Sequence, residues 1–122
     1  MAYIGQKEKK ELAPQIKAVL KKYKMKGTIK INNHMTLVVT CQSGDLNFNE
    51  NFVRNEQYLD VNIYHIDTWF TGTKKKFLQE LLQAMKGTKW YDKSDAMTDY
   101  FDTAYYNNIN IGTWDKPYKR TA

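Results

Sequence analysis

Apolar residues recur every three or four positions between residues 12 and 23, at Leu12, Ile16, Val19, Leu20 and Tyr23. This spacing predicts an amphipathic helix whose lysines face water. Pro14 disfavours helical geometry at the residue before it, so we expect the regular helix to begin near Pro14 or to follow a kinked turn over residues 6–12. Gly27 is expected to end this segment.

Strict alternation of apolar and polar residues follows over residues 28–32 and again over 35–41. One face of these two runs carries Ile29, Ile31, Leu37, Val39 and Cys41. Asn33 and His34 separate the runs, and asparagine tolerates the left-handed geometry of a tight turn. The pattern therefore predicts a β-hairpin, which the turn residues Ser43, Gly44 and Asp45 close.

The middle of the chain holds one clear helix between two less regular segments. Residues 47–57 fit either a short helix or a packed loop, and the alternation over 59–64 predicts a short strand at a sheet edge. Residues 73–86 predict a helix with Thr73 as N-cap and Gly87 as its stop. Its buried stripe is expected to be Phe77, Leu78, Leu81, Leu82 and Met85.

The last third predicts a short helix over residues 92–102 and a strand over 105–111, before the tail 114–122. One face of this strand is expected to carry Tyr105, Asn107, Ile109 and Ile111. Two amphipathic helices bury their stripes most simply on one face of a small sheet. We therefore expect one α+β domain over residues 1–122, a two-layer sandwich of two main helices on an antiparallel sheet formed by the hairpin and the C-terminal strand.

Composition narrows the class of protein further. The chain is 42% hydrophobic and 14% aromatic, which is typical of a folded domain. Cys41 is the single cysteine, so an internal disulfide and the usual cysteine-based zinc sites are excluded. The sequence shows neither the apolar run of a signal peptide nor one long enough to span a membrane, so we expect a location in the cytoplasm, without membrane contact.

The positive charge is concentrated at one end of the chain. Residues 1–30 contain nine lysines and two glutamates, whereas the remaining residues carry ten basic and eleven acidic side chains. A helix this basic is often only a solvated surface, but it also attracts phosphate backbones or acidic proteins. The candidate contacts to nucleic acid or another partner are Lys17, Lys21, Lys22, Lys24, Lys74, Lys75 and Lys76, with Tyr106 and Trp114 for stacking or hot-spot contacts.

Residues suited to catalysis are sparse. The glycines form neither a P-loop nor a dinucleotide fingerprint, and Cys41 falls on the apolar face of a strand, where free cysteine is a small core residue. His34 and His65 lack a histidine partner at ligand spacing. We predict no catalytic residue, cofactor or metal, and the weak candidates for a hard cation are Asp95, Asp99 and Asp102.

Two segments carry a resemblance to a known family. Residues 94–102, followed by Tyr105, Tyr106 and residues 109–112, resemble the end of the large polyvalent protein-associated domain, variety 29, of phages and conjugative elements. The basic first helix before a hairpin that ends at Gly44 and Asp45 is similar to it as well. The resemblance implies origin on a mobile element and transfers no catalytic residue. A free-standing copy looks like a phage accessory protein, a group that includes inhibitors of host defences such as CRISPR systems.

Three hypotheses about function follow. The first is a non-catalytic phage or mobile-element protein for host takeover or anti-defence, which binds a host nucleic acid or nucleoprotein complex through its basic surface in the bacterial cytoplasm. The second is a protein–protein inhibitor whose lysines serve solubility. The third is a metal-dependent enzyme that uses the aspartates of residues 92–102. Assembly into homo-oligomers is compatible with each of them.

Overall fold

The computed structural model describes residues 3–46, 48, 58–87, 90, 105–113 and 116–120. The predicted short helix over 92–102 and nearly all of residues 47–57 lie outside these described residues. The α+β class is confirmed. The elements in chain order are α1 (Gln6–Lys22), β1 (Met25–Asn32), β2 (Thr36–Gly44), β3 (Leu59–Val61), α2 (Ile66–Trp69), α3 (Gly72–Lys86), β4 (Tyr106–Ile111) and β5 (Lys119–Arg120).

The first helix begins earlier than its proline suggests. It starts at Gln6 and runs through Pro14, so the prediction of a start near Pro14 is wrong. Proline removes the donor that the carbonyl of Lys10 would use, but both residues are exposed, and water can serve this carbonyl instead. At the start, the N–H of Gly5 donates to the Glu8 carboxylate at 3.0 Å.

The first helix also ends earlier than predicted. It ends at Lys22, and Lys24 turns the chain in the left-handed region with φ 56°. Gly27 lies inside β1 and not at the helix end, which corrects the prediction made for it. A Cβ at Gly27 would lie 2.5 Å from the carbonyl oxygen of Thr40, beside an irregularity in the pairing of the two strands. Glycine is therefore needed here for close backbone approach.

The predicted hairpin is confirmed. β1 and β2 pair antiparallel, and Asn33 and His34 take φ 54° and 58° in the turn. Positive φ at both central residues is the geometry of a type I′ two-residue hairpin turn. The N–H of Met35 donates to the carbonyl of Asn32 at 3.2 Å. Both strands extend further from the turn than the alternation predicted, to Met25 and Gly44.

The sheet is mixed, in the order β1-β2-β4-β3, with β5 pairing with the end of β2. β3 lies at an edge, as predicted. The antiparallel sheet predicted for the hairpin and the C-terminal strand is wrong at β4, which runs parallel to β2. Parallel neighbours need a long crossover connection, and the segment between β2 and β4, which includes α3, provides one. The short elements α2 and β5 have no counterpart in the sequence prediction.

Both main helices contact each other and the same sheet, with α1 next to β1 and α3 next to β4. α3 has Thr71 and not Thr73 as its N-cap, whereas Gly87 ends it as predicted, with φ 64°. The buried hydrophobic core contains Ile16 and Leu20 of α1, Phe77, Leu78, Leu81 and Met85 of α3, and Leu37, Val39, Cys41, Ile109 and Ile111 of the sheet.

Among the described residues, one amide side chain is buried inside this core. Asn107 of β4 is 8% exposed, and neither atom of its amide has a hydrogen-bond partner in the described part of the chain. A buried polar group without a partner costs about 1–3 kcal/mol. The neighbouring Tyr105 contrasts with it, because its hydroxyl donates to the carbonyls of Met85 and Lys86 at the end of α3.

Candidate nucleic-acid interface

Four lysines surround an open groove between the end of α1 and the start of β1. The groove has a volume of ≈ 660 Å³ and is lined by Lys17, Leu20, Lys21, Lys24, Met25, Lys26 and Gly27. We call it the lysine groove. Its floor is apolar, because Leu20 and Met25 belong to the core, and all four of its lysines are exposed. Three of them were predicted as contact residues.

Local structure explains why these lysines converge. Lys17 and Lys21 lie one helical turn apart on α1 and therefore share a face. Lys24 occupies the left-handed turn after the helix, where its carbonyl accepts a hydrogen bond from the N–H of Asp45 at 3.2 Å. Lys26 follows on β1, paired with Ser43. The end of the helix, the left-handed turn and the start of the strand therefore place four ammonium groups around one groove.

None of the residues that line the lysine groove in the described ranges is acidic. Like charges at i and i+4, as at Lys17 and Lys21, cost about 0.2–0.5 kcal/mol in an isolated helix. The helix dipole favours Lys21, which lies in the last turn of α1, but its effect fades beyond that turn. The groove therefore concentrates positive charge that a bound anion would neutralise.

Lys22 has a different environment from the lysines of the groove. Its ammonium lies 2.7 Å from Oε1 of Glu80 on α3, and the hydroxyl of Tyr23 donates to the other carboxylate oxygen. The hydrogen bond from Lys22 contributes most to lowering the pKa of Glu80 below its ordinary value, and the hydrogen bond from Tyr23 comes second. The same contacts raise the pKa of Lys22 and of Tyr23. Lys22 thus joins α1 to α3.

One of the three lysines at the start of α3 also interacts with the Glu80 carboxylate. Lys76 adds a smaller attraction that also lowers the pKa of Glu80. Lys74 and Lys75 are half-buried at the start of α3. The structure therefore brings Lys22 and Lys76 together around an acid, while Lys17, Lys21 and Lys24 lie at a groove without one. We call Lys22, Tyr23, Lys76 and Glu80 the Glu80 cluster.

The predicted aromatic contacts also divide between surface and core. Tyr106 is 49% exposed at the start of β4, and its N–H donates to the carbonyl of Met35 at 2.8 Å. Trp114 lies outside the described residues. Tyr105 and Tyr118 are buried, and the hydroxyl of Tyr118 donates to the carbonyl of Leu46 at 2.6 Å. These two tyrosines therefore stabilise the fold.

Sequence reasoning missed two parts of the surface. Lys26 was not among the predicted contacts, because the first element was expected to extend to Gly27, although the alternation of β1 continues back to Lys26. Several exposed aromatic side chains were missed as well, because no pattern in the sequence indicates that they are exposed. Among the described residues these are Tyr3, Tyr64 and Trp69.

Two of the groups considered for catalysis can be compared with the structure, the thiol of Cys41 and possible metal ligands. Cys41 is fully buried, and burial raises the pKa of its thiol to about 12, so the thiol stays protonated at neutral pH. Within the described ranges there is no group of three His, Cys, Asp or Glu residues that could hold a metal ion. The metal candidates Asp95, Asp99 and Asp102 lie outside those ranges.

The fold and the lysine groove define a small α+β domain with a basic surface. Comparison of the chain with protein-family models, curated proteins and solved structures found no match. The resemblance to the large polyvalent protein-associated domain stays a prediction. Among the described residues, no helix combines the length and the apolar character needed to cross a membrane.

Proposed function

We propose that this protein is a non-catalytic binding protein that holds the phosphate backbone of a nucleic acid, free or in a nucleoprotein complex, in the lysine groove. The observation that carries the proposal is the convergence of Lys17, Lys21, Lys24 and Lys26 around one groove without an acidic residue. The ammonium of lysine binds phosphate as a compact point charge, so it contacts backbones without reading sequence. The buried thiol of Cys41, whose pKa is raised to about 12, is unsuited to act as a nucleophile.

The proposal predicts a definite dependence on salt. Each neutralised phosphate of duplex DNA contributes about −0.9 to the slope of log K against log salt concentration. Four contacts then weaken binding about 100-fold between roughly 50 and 200 mM salt. The measurement is fluorescence anisotropy of a labelled oligonucleotide, titrated at several salt concentrations. An affinity that does not change with salt contradicts the proposal.

A matched pair of variants tests the location. Lys17→Glu with Lys21→Glu changes the groove, while Lys7→Glu with Lys10→Glu changes two other exposed lysines of α1 by the same net charge. We expect the first pair to lose at least about tenfold in affinity and the second less than about threefold, because local contacts outweigh net charge. Equal losses would refute the groove as the site.

The biological setting is proposed from the sequence resemblance. The protein would act in the cytoplasm of a bacterial host as a phage or mobile-element accessory protein in host takeover or anti-defence. Expression in a host with an active CRISPR system should restore plaque formation by a targeted phage, and the Lys17→Glu, Lys21→Glu variant should not. Unchanged immunity with a stably expressed protein would contradict the anti-CRISPR role.

A second function is favoured by another exposed feature. Tyr64 is 79% exposed and Trp69 62% exposed, close to the two ends of α2. Tyrosine and tryptophan are enriched among the residues that dominate protein interfaces. A protein–protein inhibitor would use this pair. Capture of one protein from nuclease-treated host lysate, lost with Tyr64→Ala and Trp69→Ala, would support it, and capture that persists with both variants would refute it.

A further inference from the structure

The face of the sheet opposite the helices is polar and partly open. The register places Thr28 beside Thr40 and Asn110, and Lys30 beside Val38 and Asn108. These side chains are exposed or half-buried, apart from the buried Val38. Side-chain amides and hydroxyls of this kind donate and accept hydrogen bonds. Such a surface can therefore bind polar edges such as those of nucleobases.

The hairpin-turn end of the sheet exposes apolar groups. Tyr106 and Met35 are 49% and 42% exposed and are joined through their backbones. Tyr3 is 60% exposed and stacks on the ring of His34, whose carbonyl accepts from the N–H of Ile4 at 2.8 Å. Three of the five large exposed hydrophobic side chains among the described residues are therefore at this end. We call these four side chains the turn-end cluster.

β1 connects the turn-end cluster to the lysine groove. Lys26, which lines the groove, lies at the start of β1, and Asn32 lies at its end, next to the turn. Lys26, Thr28, Lys30 and Asn32 alternate along the strand on one face, and all four are exposed. A strand of eight residues spans about 25 Å. Charge at one end and exposed rings at the other thus lie along one continuous path.

We propose that this path binds single-stranded nucleic acid, with the backbone in the lysine groove and a base stacked on Tyr106. The proposal rests on the proposed function and specifies its substrate. Bases in a duplex stack on one another, so their faces are closed to a tyrosine ring, whereas the bases of a single strand are open to stacking. The positive charge of Lys26 and Lys30 complements a phosphate backbone that follows β1. Small domains that bind single strands cover about 4–16 nucleotides, which fits a path of this length.

The test compares three probes and three variants. The probes are a fluorescein-labelled strand of about 12 thymidines and a duplex of the same length, with an oligouridine strand as the RNA counterpart. Stacking on an aromatic residue predicts that Tyr106→Ala binds the single strands about 5- to 150-fold more weakly. Tyr106→Phe keeps the ring and should bind like the parent. Gln79→Ala changes an exposed side chain of α3 to which no binding role is assigned, and it should leave binding unchanged.

The duplex separates failure of this inference from failure of the proposed function. We expect the affinity of Tyr106→Ala for duplex to stay within about twofold of the parent, because only backbone contacts remain there. If single strand and duplex bind equally and Tyr106→Ala changes neither, the single-strand inference is wrong and the lysine groove stands. If none of the three probes binds at low salt, both proposals are wrong.

Discussion

The lysine groove and the Glu80 cluster both contain lysines of α1, but these lysines have different surroundings. Lys21 and Lys22 are neighbours in sequence, yet one lines a groove without acids and the other hydrogen-bonds Glu80 of α3. The helical rotation between consecutive residues separates them. A lysine count therefore does not locate a binding surface, because an acid contributed by another element can neutralise part of the charge.

The largest effect on stability is expected at Phe77, a core residue that packs against Tyr23 of the Glu80 cluster. Phe77 is fully buried and its ring packs edge-on against Tyr23, with centroids 5.3 Å apart. Phe77→Ala should lower the free energy of unfolding by about 3–5 kcal/mol. Lys17→Ala, its control in the groove, should change it by less than about 0.5 kcal/mol. Urea denaturation followed by circular dichroism measures both, and similar losses would contradict the division into a structural and a binding region.

A smaller effect should follow when the acid of the Glu80 cluster is removed. Glu80→Gln keeps the size of the side chain but leaves the charges of Lys22 and Lys76 without their carboxylate. We expect the affinity for nucleic acid at low salt to rise about two- to fivefold, because the positive field of the surface grows. The increase should vanish at high salt. Unchanged or weaker binding at low salt would show that this cluster does not face the ligand.

The smallest effect concerns stability at acid pH. The pKa of Glu80 lies below its ordinary value of 4.5, so its contacts stabilise the fold fully above that value. This contribution is lost as the pH falls through the lowered pKa, because the unfolded chain binds the proton more readily. The difference in stability between the parent and Glu80→Gln should therefore shrink below about pH 4.5. Chemical denaturation at a series of pH values measures this difference, and a constant gap would contradict it.

Sequence patterns predicted the features that depend on local periodicity. The hairpin turn at Asn33 and His34, the helix stop at Gly87 and the division of β4 into two faces follow from alternation, spacing and residues that accept positive φ. The direction of β4 does not, since parallel and antiparallel partners carry similar patterns. The contact of Lys22 with Glu80, 58 positions away in sequence, could not be predicted either, because it depends on how two helices pack.

Candidate residues were predictable by type and not by position. The basic segment contains Lys17, Lys21 and Lys24, which the structure gathers, but also Lys22, which it neutralises. Exposure separates Tyr106 from Tyr105, and the alternation of β4 already places these neighbours on opposite faces. What the sequence lacked was the identity of the face that the helices cover.

The position of β4 between β2 and β3 has a consequence for the order of events during synthesis. The hairpin leaves the ribosome early, but the strand that pairs with β2 on its other side ends only at Ile111. At roughly 5–20 residues per second, translation needs about 3–13 s to extend the chain from Gly44 to Ile111. During this interval Leu37, Val39 and Cys41 lack the strand that pairs beside them in the native sheet. The nascent chain thus has a period in which chaperones, or premature pairing with another hairpin, can compete with folding.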